Sequence, residues 1–283
     1  MIDISIIYVN YFSSREIGES ISSFTKALSH LKYEIIVADN SKNIMEFDTL
    51  QKILQSCNVR LLKLNKNMGF GQGCNRAAKQ AKGKYLFFLN PDTKYYKGSI
   101  ESLLSFYEET ADCGIVAPVL YNNDMSLQYS ARKFPTILNQ FFGRNSLLTK
   151  ISRNNRFASD YMYVNRDYSK AMKVDWVRAA AILIERNLFW QVNGFSSDYF
   201  MFAEDVDLCK RLYRRGLYTY LHPGLAVIHT LGSTVDKTPI RKIWMHNKSL
   251  YTYFSKQYKL LQTLFFFAII MRIVLVSIVE KIK

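Results

Sequence analysis

Short apolar runs alternate with longer amphipathic stretches along the first half of the chain. The runs are rich in β-branched and aromatic residues, which is typical of buried strands, whereas the stretches repeat apolar residues at helical spacing. Predicted strands cover residues 4–9, 33–38, 59–64, 85–89 and 113–118, and predicted helices cover residues 14–28, 47–57, 72–81 and 98–108. This alternation predicts an α/β fold with a mostly parallel central sheet that is flanked by helices.

The pattern becomes less regular in the second half. Residues 136–173 lack clear periodicity, which predicts a short helix and a long loop of the kind that binds ligands or forms a lid. Further strands are predicted at residues 127–131, 174–185, 218–221 and 226–229, and further helices at residues 204–215, 236–258 and 260–279. Because no linker rich in Gly, Ser or Pro interrupts the chain, we predict one domain over residues 1–235 and a helical appendage over residues 236–283.

The formal net charge of +15 is unevenly distributed. After Asp236 the chain carries nine lysines and arginines against one glutamate, and they surround an apolar stretch at residues 260–279. That stretch is borderline for a membrane span, and Arg272 near its middle favours a helix in the lipid headgroup region. We therefore expect an anionic inner-membrane surface as partner, and no nucleic acid. The alternative is a C-terminal helix packed on the protein's own core.

The cysteines and the N-terminal sequence bear on the compartment. No CxxC pair occurs among Cys57, Cys74, Cys113 and Cys209, so neither a zinc ribbon nor a disulfide framework is predicted. The chain opens directly into a strand pattern rather than into a signal peptide. We therefore expect the protein on a reducing, cytosolic face.

Polar residues follow two of the predicted central strands. Asn90-Pro91-Asp92 comes directly after the apolar run at residues 85–89, and Pro91 ends that strand because it has no N–H. Asp39 follows the strand at residues 33–38 in the same way. Open α/β sheets bind ligands at the carboxyl ends of their strands, so Asp92 is predicted to hold a divalent cation and Asp39 to contact a base or ribose. The alternative is that both segments are only turns.

A glycine-rich segment follows the third predicted strand and opens a helix. Gly69, Gly71 and Gly73 would let backbone N–H groups approach a phosphate, and Arg76 is a further candidate phosphate contact. The dinucleotide-binding pattern G-x-G-x-x-G would need a glycine where this chain has Cys74. An NAD-dependent oxidoreductase remains an alternative.

Three carboxylates stand within four residues at the start of a later predicted helix. Glu204, Asp205 and Asp207 follow the aromatic segment Phe200-Met201-Phe202, and such neighbours can raise a carboxyl pKa towards the range that suits a general base. Their other explanation is stabilisation of the helix dipole. His229 closes a short apolar strand and is a candidate second metal ligand, although a lone histidine at a strand end is often structural.

Taken in order, these segments resemble the inverting family 2 glycosyltransferases of the GT-A fold, and among them the bacterial rhamnosyltransferases that build surface polysaccharide. The matching segments are Ile36-Val37-Ala38-Asp39-Asn40-Ser41, Asn67-Met68-Gly69-Phe70-Gly71 through Asn75-Arg76, Phe88-Leu89-Asn90-Pro91-Asp92-Thr93, Gly194-Phe195 through Phe200-Met201-Phe202-Ala203-Glu204-Asp205-Val206-Asp207-Leu208, and His229 followed by Gly232-Ser233. The resemblance covers residues 2–233. It implies a nucleotide-sugar-binding half over residues 1–120 and an acceptor-binding, catalytic half over residues 121–235.

The resemblance also implies roles for individual residues. Asp205 resembles the catalytic base, with Glu204 beside it, and Asp92 and His229 resemble the ligands of a Mg²⁺ or Mn²⁺ ion that bridges the donor diphosphate. The implied contacts of the donor nucleotide are Val9, Asn10, Asp39, Asn67, Gly69, Phe70, Asn75, Arg76, Asn90, Pro91 and Asp92. The first acid of the family's DxD motif is Asn90 here, which leaves the cation one charged ligand fewer.

The implied reaction is sugar transfer with inversion of configuration. L-rhamnose would move from dTDP-L-rhamnose to a lipid-pyrophosphate-linked saccharide at the cytoplasmic face of the bacterial inner membrane, during synthesis of O-antigen or capsule. An acceptor hydroxyl would displace the nucleoside diphosphate while Asp205 removes its proton. Two further alternatives stay open: a family 2 transferase with a UDP-hexose donor, and a non-catalytic module that binds membranes through the C-terminal helix.

Overall fold

The computed structural model describes residues 2–28, 30–136, 156–230 and 239–258, together with Thr263, Phe267 and Ile270. The strands are β1 (Ile4–Asn10), β2 (Tyr33–Asp39), β3 (Val59–Lys63), β4 (Tyr85–Leu89), β5 (Thr93–Gly98), β6 (Cys113–Tyr121), β7 (Leu127–Gln128), β8 (Ala131–Arg132), β9 (Met172–Val174), β10 (Trp176–Val177), β11 (Ala181–Glu185) and β12 (Tyr218–His229). The helices are α1 (Ser14–Phe24), α2 (Ile44–Leu54), α3 (Phe70–Ala78), α4 (Ile100–Glu109), α5 (Arg156–Tyr161), α6 (Arg186–Gln191), α7 (Glu204–Tyr213) and α8 (Pro239–Gln257), and a 3₁₀ turn (Thr25–Leu28) follows α1. The predicted alternation of strands and helices in the first half is confirmed.

A mixed sheet forms the centre of the fold, in the order β3-β2-β1-β4-β11-β6-β12-β5. β1 to β4 form parallel pairs, as predicted. β11 runs antiparallel to both β4 and β6, and β12 runs antiparallel to β5. β12 runs parallel to β6, so β1 to β4, β6 and β12 share one direction, and the prediction of a mostly parallel sheet holds for these six strands. β11 and β5 run in the opposite direction, and β10, which precedes β11, belongs to a separate two-stranded sheet with β8.

Several strands of the second half also differ from the prediction in their bounds. The strand predicted over residues 174–185 is interrupted, because the chain leaves the sheet at residues 178–180. The strands predicted at residues 218–221 and 226–229 are one strand, β12, with an irregular register between His222 and Ala226. β5 was not predicted, since its sequence carries exposed lysines and no continuous apolar run. Most of the predicted long loop, residues 137–155, lies outside the described residues.

Two apolar layers cover the sheet, one on each face. On one face Ile17 of α1, Leu50 of α2 and Leu103 of α4 pack together with the strands. On the other face Ala77 of α3 and Leu208 of α7 belong to a second buried cluster. Between them β4 is buried along its whole length, in agreement with its continuous apolar sequence. Each fully buried large apolar side chain stabilises the fold by about 1.5–3 kcal/mol, so the central strands provide a firm base for the sheet edge.

The C-terminal helix α8 packs on the domain. Its side chains Leu250, Tyr253 and Phe254 are buried, and the Ser249 hydroxyl donates a hydrogen bond to the carbonyl of Met201 at 2.7 Å. Among the helices of the described residues, none combines the length and the apolar character that crossing a membrane requires. The apolar helix predicted at residues 260–279 lies outside the described residues, apart from the three isolated helical positions already named.

Two contacts hold α3 and the loop before it against the segment that leads into α7. The Asn75 side chain pairs with the backbone of Phe195: its Nδ2 donates to the carbonyl at 2.7 Å and its Oδ1 accepts from the N–H at 3.0 Å. The Phe70 N–H donates to the carbonyl of Phe200 at 3.2 Å. Beside it, Gly69 has a φ of +81°, and a Cβ there would lie 1.8 Å from the Phe200 oxygen. Only glycine permits this approach.

We expect Gly69→Ala to separate these two segments. The variant carries the strain of a left-handed L-residue, about 1–2 kcal/mol, and an overlap with backbone that costs about 1–3 kcal/mol more. Gly216→Ala is the matched control, because Gly216 also has a positive φ of +75° but a Cβ there meets no described atom within 4 Å. The free energy of unfolding, measured in urea, should fall further in Gly69→Ala than in Gly216→Ala. Equal losses would contradict the contact.

Candidate active site

Polar side chains from separate segments meet at one edge of the sheet. Asn10 and Asp39 end the parallel strands β1 and β2 and are partners in register. Asp92 lies in the turn between β4 and β5, and β4 runs parallel to β1. His229 is the last residue of β12 and pairs with Thr93, the residue after Asp92. The predicted nucleotide contacts and the predicted metal ligands therefore share the carboxyl edge of the sheet, where open α/β folds bind ligands.

The buried carboxylate of Asp39 is held in a small network. Its Oδ1 accepts from Asn10 Nδ2 at 2.9 Å, and its Oδ2 accepts from the Ser41 hydroxyl at 3.0 Å. Asn10 Nδ2 also donates to Glu46 Oε1 at 3.1 Å, and the same Glu46 oxygen accepts from the Ser14 N–H at 3.2 Å. The network holds the predicted nucleotide contacts Asn10 and Asp39 in a fixed position relative to each other. It also places Glu46, from the first turn of α2, at the same edge of the sheet.

Asn40 attaches the glycine-rich loop to this edge. Its Nδ2 donates to Asn67 Oδ1 and to the carbonyl of Gly69, both at 3.0 Å. Its Oδ1 accepts from the Met68 N–H at 2.8 Å. The NH₂ group and the oxygen of the Asn40 side chain are therefore both hydrogen-bonded. As a result, the predicted contacts Asn67 and Gly69 lie next to the Asp39 turn.

The remaining predicted nucleotide contacts lie on or against α3. Phe70 begins the helix, and Val9 packs against it. Asn75 is engaged with the backbone of Phe195 at both its amide nitrogen and its amide oxygen, so its side chain has a structural partner. Arg76 is exposed on the surface of the helix. Direct contact of these four residues with a nucleotide stays a prediction.

Asp92 and His229 form the candidate metal pair. His229 Nε2 lies 3.4 Å from Asp92 Oδ1 and 3.4 Å from Asn90 Nδ2, with Pro91 between the two turn residues. The side chains of Asp92 and His229 are largely buried, 12% and 7% exposed. One imidazole and one carboxylate, completed by oxygen atoms, suit Mn²⁺ or Mg²⁺, so the donor set fits such an ion. Among the described residues, no group of three His, Cys, Asp or Glu side chains lies close enough together to hold a metal ion.

Asp205 reaches the same edge through the backbone that precedes β11. Its Oδ2 accepts from the Ala179 N–H at 3.3 Å. The carbonyl of the next residue, Ala180, accepts from the Asn90 N–H at 2.8 Å. The turn that carries Asp92 and the predicted base are thus hydrogen-bonded to two adjacent residues of the chain. This contact brings the two distant acidic segments together.

Glu204 is buried and its neighbour Asp205 is partly buried, and the two carboxyl groups have different surroundings. Burial raises the pKa of both. For Glu204 the negative charge of Asp205 raises the pKa further, and its Oε2 has no hydrogen-bond partner among the described residues. For Asp205, hydrogen bonds from the N–H groups of Val206 and Ala179 and the positive charge of Arg178 act in the opposite direction and lower the pKa. Both pKa values are raised, but only Asp205 has neighbours that oppose the shift, so Asp205 ionises more readily than Glu204.

The third acid of the segment, Asp207, has a different role. Its carboxylate accepts from Arg211 Nε at 2.8 Å, one helical turn later, and from the Tyr199 hydroxyl at 3.3 Å. Arg211 donates onward to the carbonyl of Gly194 at 2.7 Å. Through Arg211, Asp207 therefore stabilises the turn before α7. Its carboxylate is paired with a cation, unlike the carboxyl groups of Glu204 and Asp205.

Sequence reasoning missed Glu46, Arg178 and Gln128 as members of this region. Glu46 looks like an ordinary first-turn acid of a helix, and Arg178 stands in what was predicted to be a continuous strand. Gln128, whose Oε1 lies 2.7 Å from His229 Nδ1, belongs to a strand of two residues. No local pattern distinguishes it from a surface strand residue. Its place depends on the pairing of β6 with β7, which is a tertiary feature.

The sequence matches the model of Glycosyl transferase family 2 over residues 5–172. It is 26% identical over 265 residues to the N-acetylglucosaminyl-diphospho-decaprenol L-rhamnosyltransferase of Mycobacterium tuberculosis, a match that covers 89% of this chain and 84% of the relative. It is 27% identical over 237 residues to the rhamnosyltransferase WbbL of Escherichia coli, which covers 80% of this chain and 83% of the relative.

The fold is similar to that of the mannosyltransferase PcManGT from Pyrobaculum calidifontis, solved in complex with GDP-Man and Mn²⁺. The TM-score is 0.61 at 13% identity, over 92% of this chain and 66% of that longer chain. At such low identity the likeness concerns the fold alone, and it agrees with the predicted GT-A architecture. The family model covers more than half of the sequence and includes the Asp39, Gly69 and Asp92 segments that the sheet edge brings together. We conclude that the chain belongs to glycosyl transferase family 2, and within it is related to the rhamnosyltransferases.

Proposed function

We propose that the protein transfers a sugar, with inversion of configuration, from a nucleotide donor to a lipid-linked saccharide. The observation that carries this proposal is the joint attachment of the Asp92 turn and Asp205 to Ala179 and Ala180. An inverting transfer needs a charge-neutralising group at the leaving diphosphate and a base beside the attacking hydroxyl. The sheet edge offers candidates for both, on neighbouring segments.

Asp205 is the proposed base. An acceptor hydroxyl attacks the anomeric carbon of the donor sugar, its proton passes to the Asp205 carboxylate, and the nucleoside diphosphate leaves from the opposite face. A divalent cation bound by Asp92 and His229 would supply positive charge to the departing diphosphate. Asn10, Asp39 and the loop around Gly69 are the proposed binding site of the donor's nucleoside. The hydrogen bonds that fix Asp39 and the loop pre-organise this site before the donor arrives.

Glu204 is proposed to work as a neutral neighbour. If both carboxyls were ionised, the buried Glu204 and the partly buried Asp205 would each lie beside a like charge, so one of them retains its proton. Glu204 lacks a hydrogen-bond partner at Oε2 among the described residues, whereas Asp205 accepts from Ala179 and Val206. Protonation of Glu204 leaves a single negative charge at Asp205, which is the state that a general base requires.

The donor and acceptor classes in this proposal come from the relatives. Both are rhamnosyltransferases by name, and the mycobacterial one is named for N-acetylglucosaminyl-diphospho-decaprenol, a lipid-linked acceptor. We therefore propose dTDP-L-rhamnose as donor, a lipid-pyrophosphate-linked saccharide as acceptor, and a role in O-antigen or capsule synthesis. A UDP-hexose donor is the alternative, and a panel of nucleotide sugars distinguishes the two by which one the protein hydrolyses.

The inner-membrane surface, on its cytoplasmic side, is the proposed location. α8 leaves Trp244 half exposed, with the Lys248 ammonium 5.2 Å from the centre of its ring. A tryptophan beside a lysine suits the headgroup region of an anionic leaflet. The opposite side of the same helix bonds to Met201 through Ser249, close to the acidic segment. A membrane bound through Trp244 and Lys248 would lie across α8 from the acidic segment. A lipid-linked acceptor in that membrane would be held near Asp205, which raises the effective concentration of the acceptor.

The role of Asp205 is tested by two complementary variants. Asp205→Asn should lower kcat by about 10²–10⁴-fold because the base is lost, while the Kd for dTDP in Mn²⁺, measured by calorimetry, stays unchanged. Asp92→Ala should instead weaken the binding of dTDP in Mn²⁺, because a proposed ligand of the cation is lost. In EDTA, where no cation is bound, its affinity for dTDP should equal that of the wild type. Full transfer activity in Asp205→Asn would remove the proposed base.

The proposed neutral state of Glu204 has a consequence for stability. Its pKa is raised in the folded protein, so the folded state holds a proton that the unfolded chain releases, and stability falls as pH rises above the unfolded value. Glu204→Gln removes this penalty and should raise the free energy of unfolding by about 1–3 kcal/mol at about pH 9. The gain should shrink towards about pH 5, in urea titrations at both values. A gain that is independent of pH would contradict a protonated Glu204.

Membrane binding is tested with vesicles. The protein should co-sediment with vesicles that contain phosphatidylglycerol, bind several-fold less to pure phosphatidylcholine, and dissociate as salt rises. Trp244→Ser should weaken the binding, whereas Tyr96→Ser, which removes another exposed aromatic ring, from β5, should leave it unchanged. Equal binding to both kinds of vesicle would argue against an anionic leaflet as partner.

A further inference from the structure

Gln128 binds His229 at two points. The Oε1 of Gln128 lies 2.7 Å from His229 Nδ1, and its Nε2 lies 3.0 Å from the backbone carbonyl of His229. Nε2 also donates to Asn122 Oδ1 at 2.8 Å. Gln128 is 5% exposed, so these bonds are protected from competing water. A buried amide whose oxygen and nitrogen are both engaged has one defined orientation.

The backbone carbonyl of His229 decides that orientation. A carbonyl oxygen can only accept a hydrogen bond, so the group that faces it must be the NH₂ of Gln128. The reversed amide would place its oxygen against the carbonyl of His229 and its NH₂ against Nδ1. Gln128 Oε1 therefore faces the imidazole, and since Oε1 is only an acceptor, Nδ1 must carry the proton.

The tautomer of His229 follows from this bond. With the proton of the neutral ring on Nδ1, the lone pair is on Nε2, the atom that lies 3.4 Å from Asp92 Oδ1. An imidazole nitrogen binds a metal through its lone pair, so the ring offers its ligand atom on the side of Asp92. The opposite tautomer would turn an N–H towards the carboxylate and would close this position to a cation.

We infer that Gln128 is a positioning residue that sets the tautomer and the ring orientation of His229, so that Nε2 faces the cation site beside Asp92. The inference rests on the proposed use of a divalent cation. Gln128 touches neither the cation nor the substrate, and it acts through the imidazole. A partner of this kind raises the basicity of the metal-binding nitrogen and removes the entropy cost of orienting a free ring.

The surrounding hairpin is built to hold Gln128 in place. β6 and β7 pair through Leu120 with Gln128 and form a hairpin around Asn122 and Asn123. Besides the bonds of Gln128 to His229, the turn of this hairpin contacts the residue that follows β12: the Thr230 hydroxyl donates to Asn123 Oδ1 at 2.8 Å. The Thr230 N–H in turn donates to the carbonyl of Asp92 at 3.0 Å. The two metal-binding residues and their positioning residue thus belong to one connected set of hydrogen bonds.

The tautomer is tested directly by nitrogen NMR of the metal-free protein with ¹⁵N-labelled histidine. The chain has four histidines, and the His229 signals are identified by their loss in His229→Asn. At a pH where the rings are neutral, His229 should show a protonated Nδ1 and an unprotonated Nε2. Gln128→Met, of similar size but without an acceptor, should shift the proton towards Nε2. Gln128→Glu keeps an acceptor for Nδ1–H and should retain the original tautomer, which a merely bracing role of Gln128 does not predict.

Metal affinity provides the second measurement. Mn²⁺ binding in the presence of dTDP, followed by the electron paramagnetic resonance of free Mn²⁺, should weaken about 10–100-fold in Gln128→Met. Gln55→Met is the control, because it makes the same exchange at an exposed glutamine directly after α2, outside the hairpin that carries Gln128, so its Mn²⁺ affinity should equal that of the wild type. An unchanged His229 tautomer in Gln128→Met overturns the inference. Failure of the wild type to bind Mn²⁺ overturns the metal part of the proposed function, and the NMR comparison still decides the role of Gln128.

Discussion

The organisation of the site depends on the three residues between β10 and β11. Because β11 is antiparallel to β4, it begins at the edge where β4 ends, and Ala181 pairs with Leu89. The backbone just before it, at Ala179 and Ala180, therefore meets the turn that carries Asp92 and the carboxylate of Asp205. A parallel β11 would start at the opposite edge, and its preceding residues would lie a strand length away from the site. The antiparallel direction of β11 is thus what joins the two acidic segments.

Backbone strain concentrates where the acidic segment meets the glycine-rich loop. Phe202 and Ala203 both have positive φ values, 68° and 65°, a conformation that costs on the order of 1–3 kcal/mol for each non-glycine residue. The neighbouring backbone is held from two sides, by the Phe70 N–H at Phe200 and by the Ser249 hydroxyl at Met201. These contacts, together with the Asn75 clamp on Phe195, determine the entry into α7. Glu204 is consequently buried and Asp205 partly buried, at positions that a freely formed helix N-terminus would expose to water.

The electrostatics of the site follow from this burial. Surface carboxyls at the start of a helix would titrate near their ordinary values and would only complement the helix dipole. Behind the strained turn, desolvation raises the pKa of both, and the different hydrogen bonds of the two side chains separate their behaviour. Arg178, from the same break before β11, supplies the positive charge that favours ionisation of Asp205. The segment that joins the halves of the site therefore also contributes to its charge balance.

Those parts of the fold and of the site that depend on local pattern follow from the amino-acid sequence alone. Continuous apolar runs identified β1, β2 and β4, and the residues that end these strands gave Asp39 and Asp92, since strand direction and strand end are both visible in a parallel α/β pattern. The antiparallel insertion of β11, the break at residues 178–180 and the place of Gln128 beside His229 depend on tertiary contacts instead. These features depend on contacts between segments that are up to about a hundred residues apart, such as the 101 residues that separate Gln128 from His229. Local apolar periodicity carries no record of such pairings, because the same alternation fits a strand in either direction and on either side of its neighbour.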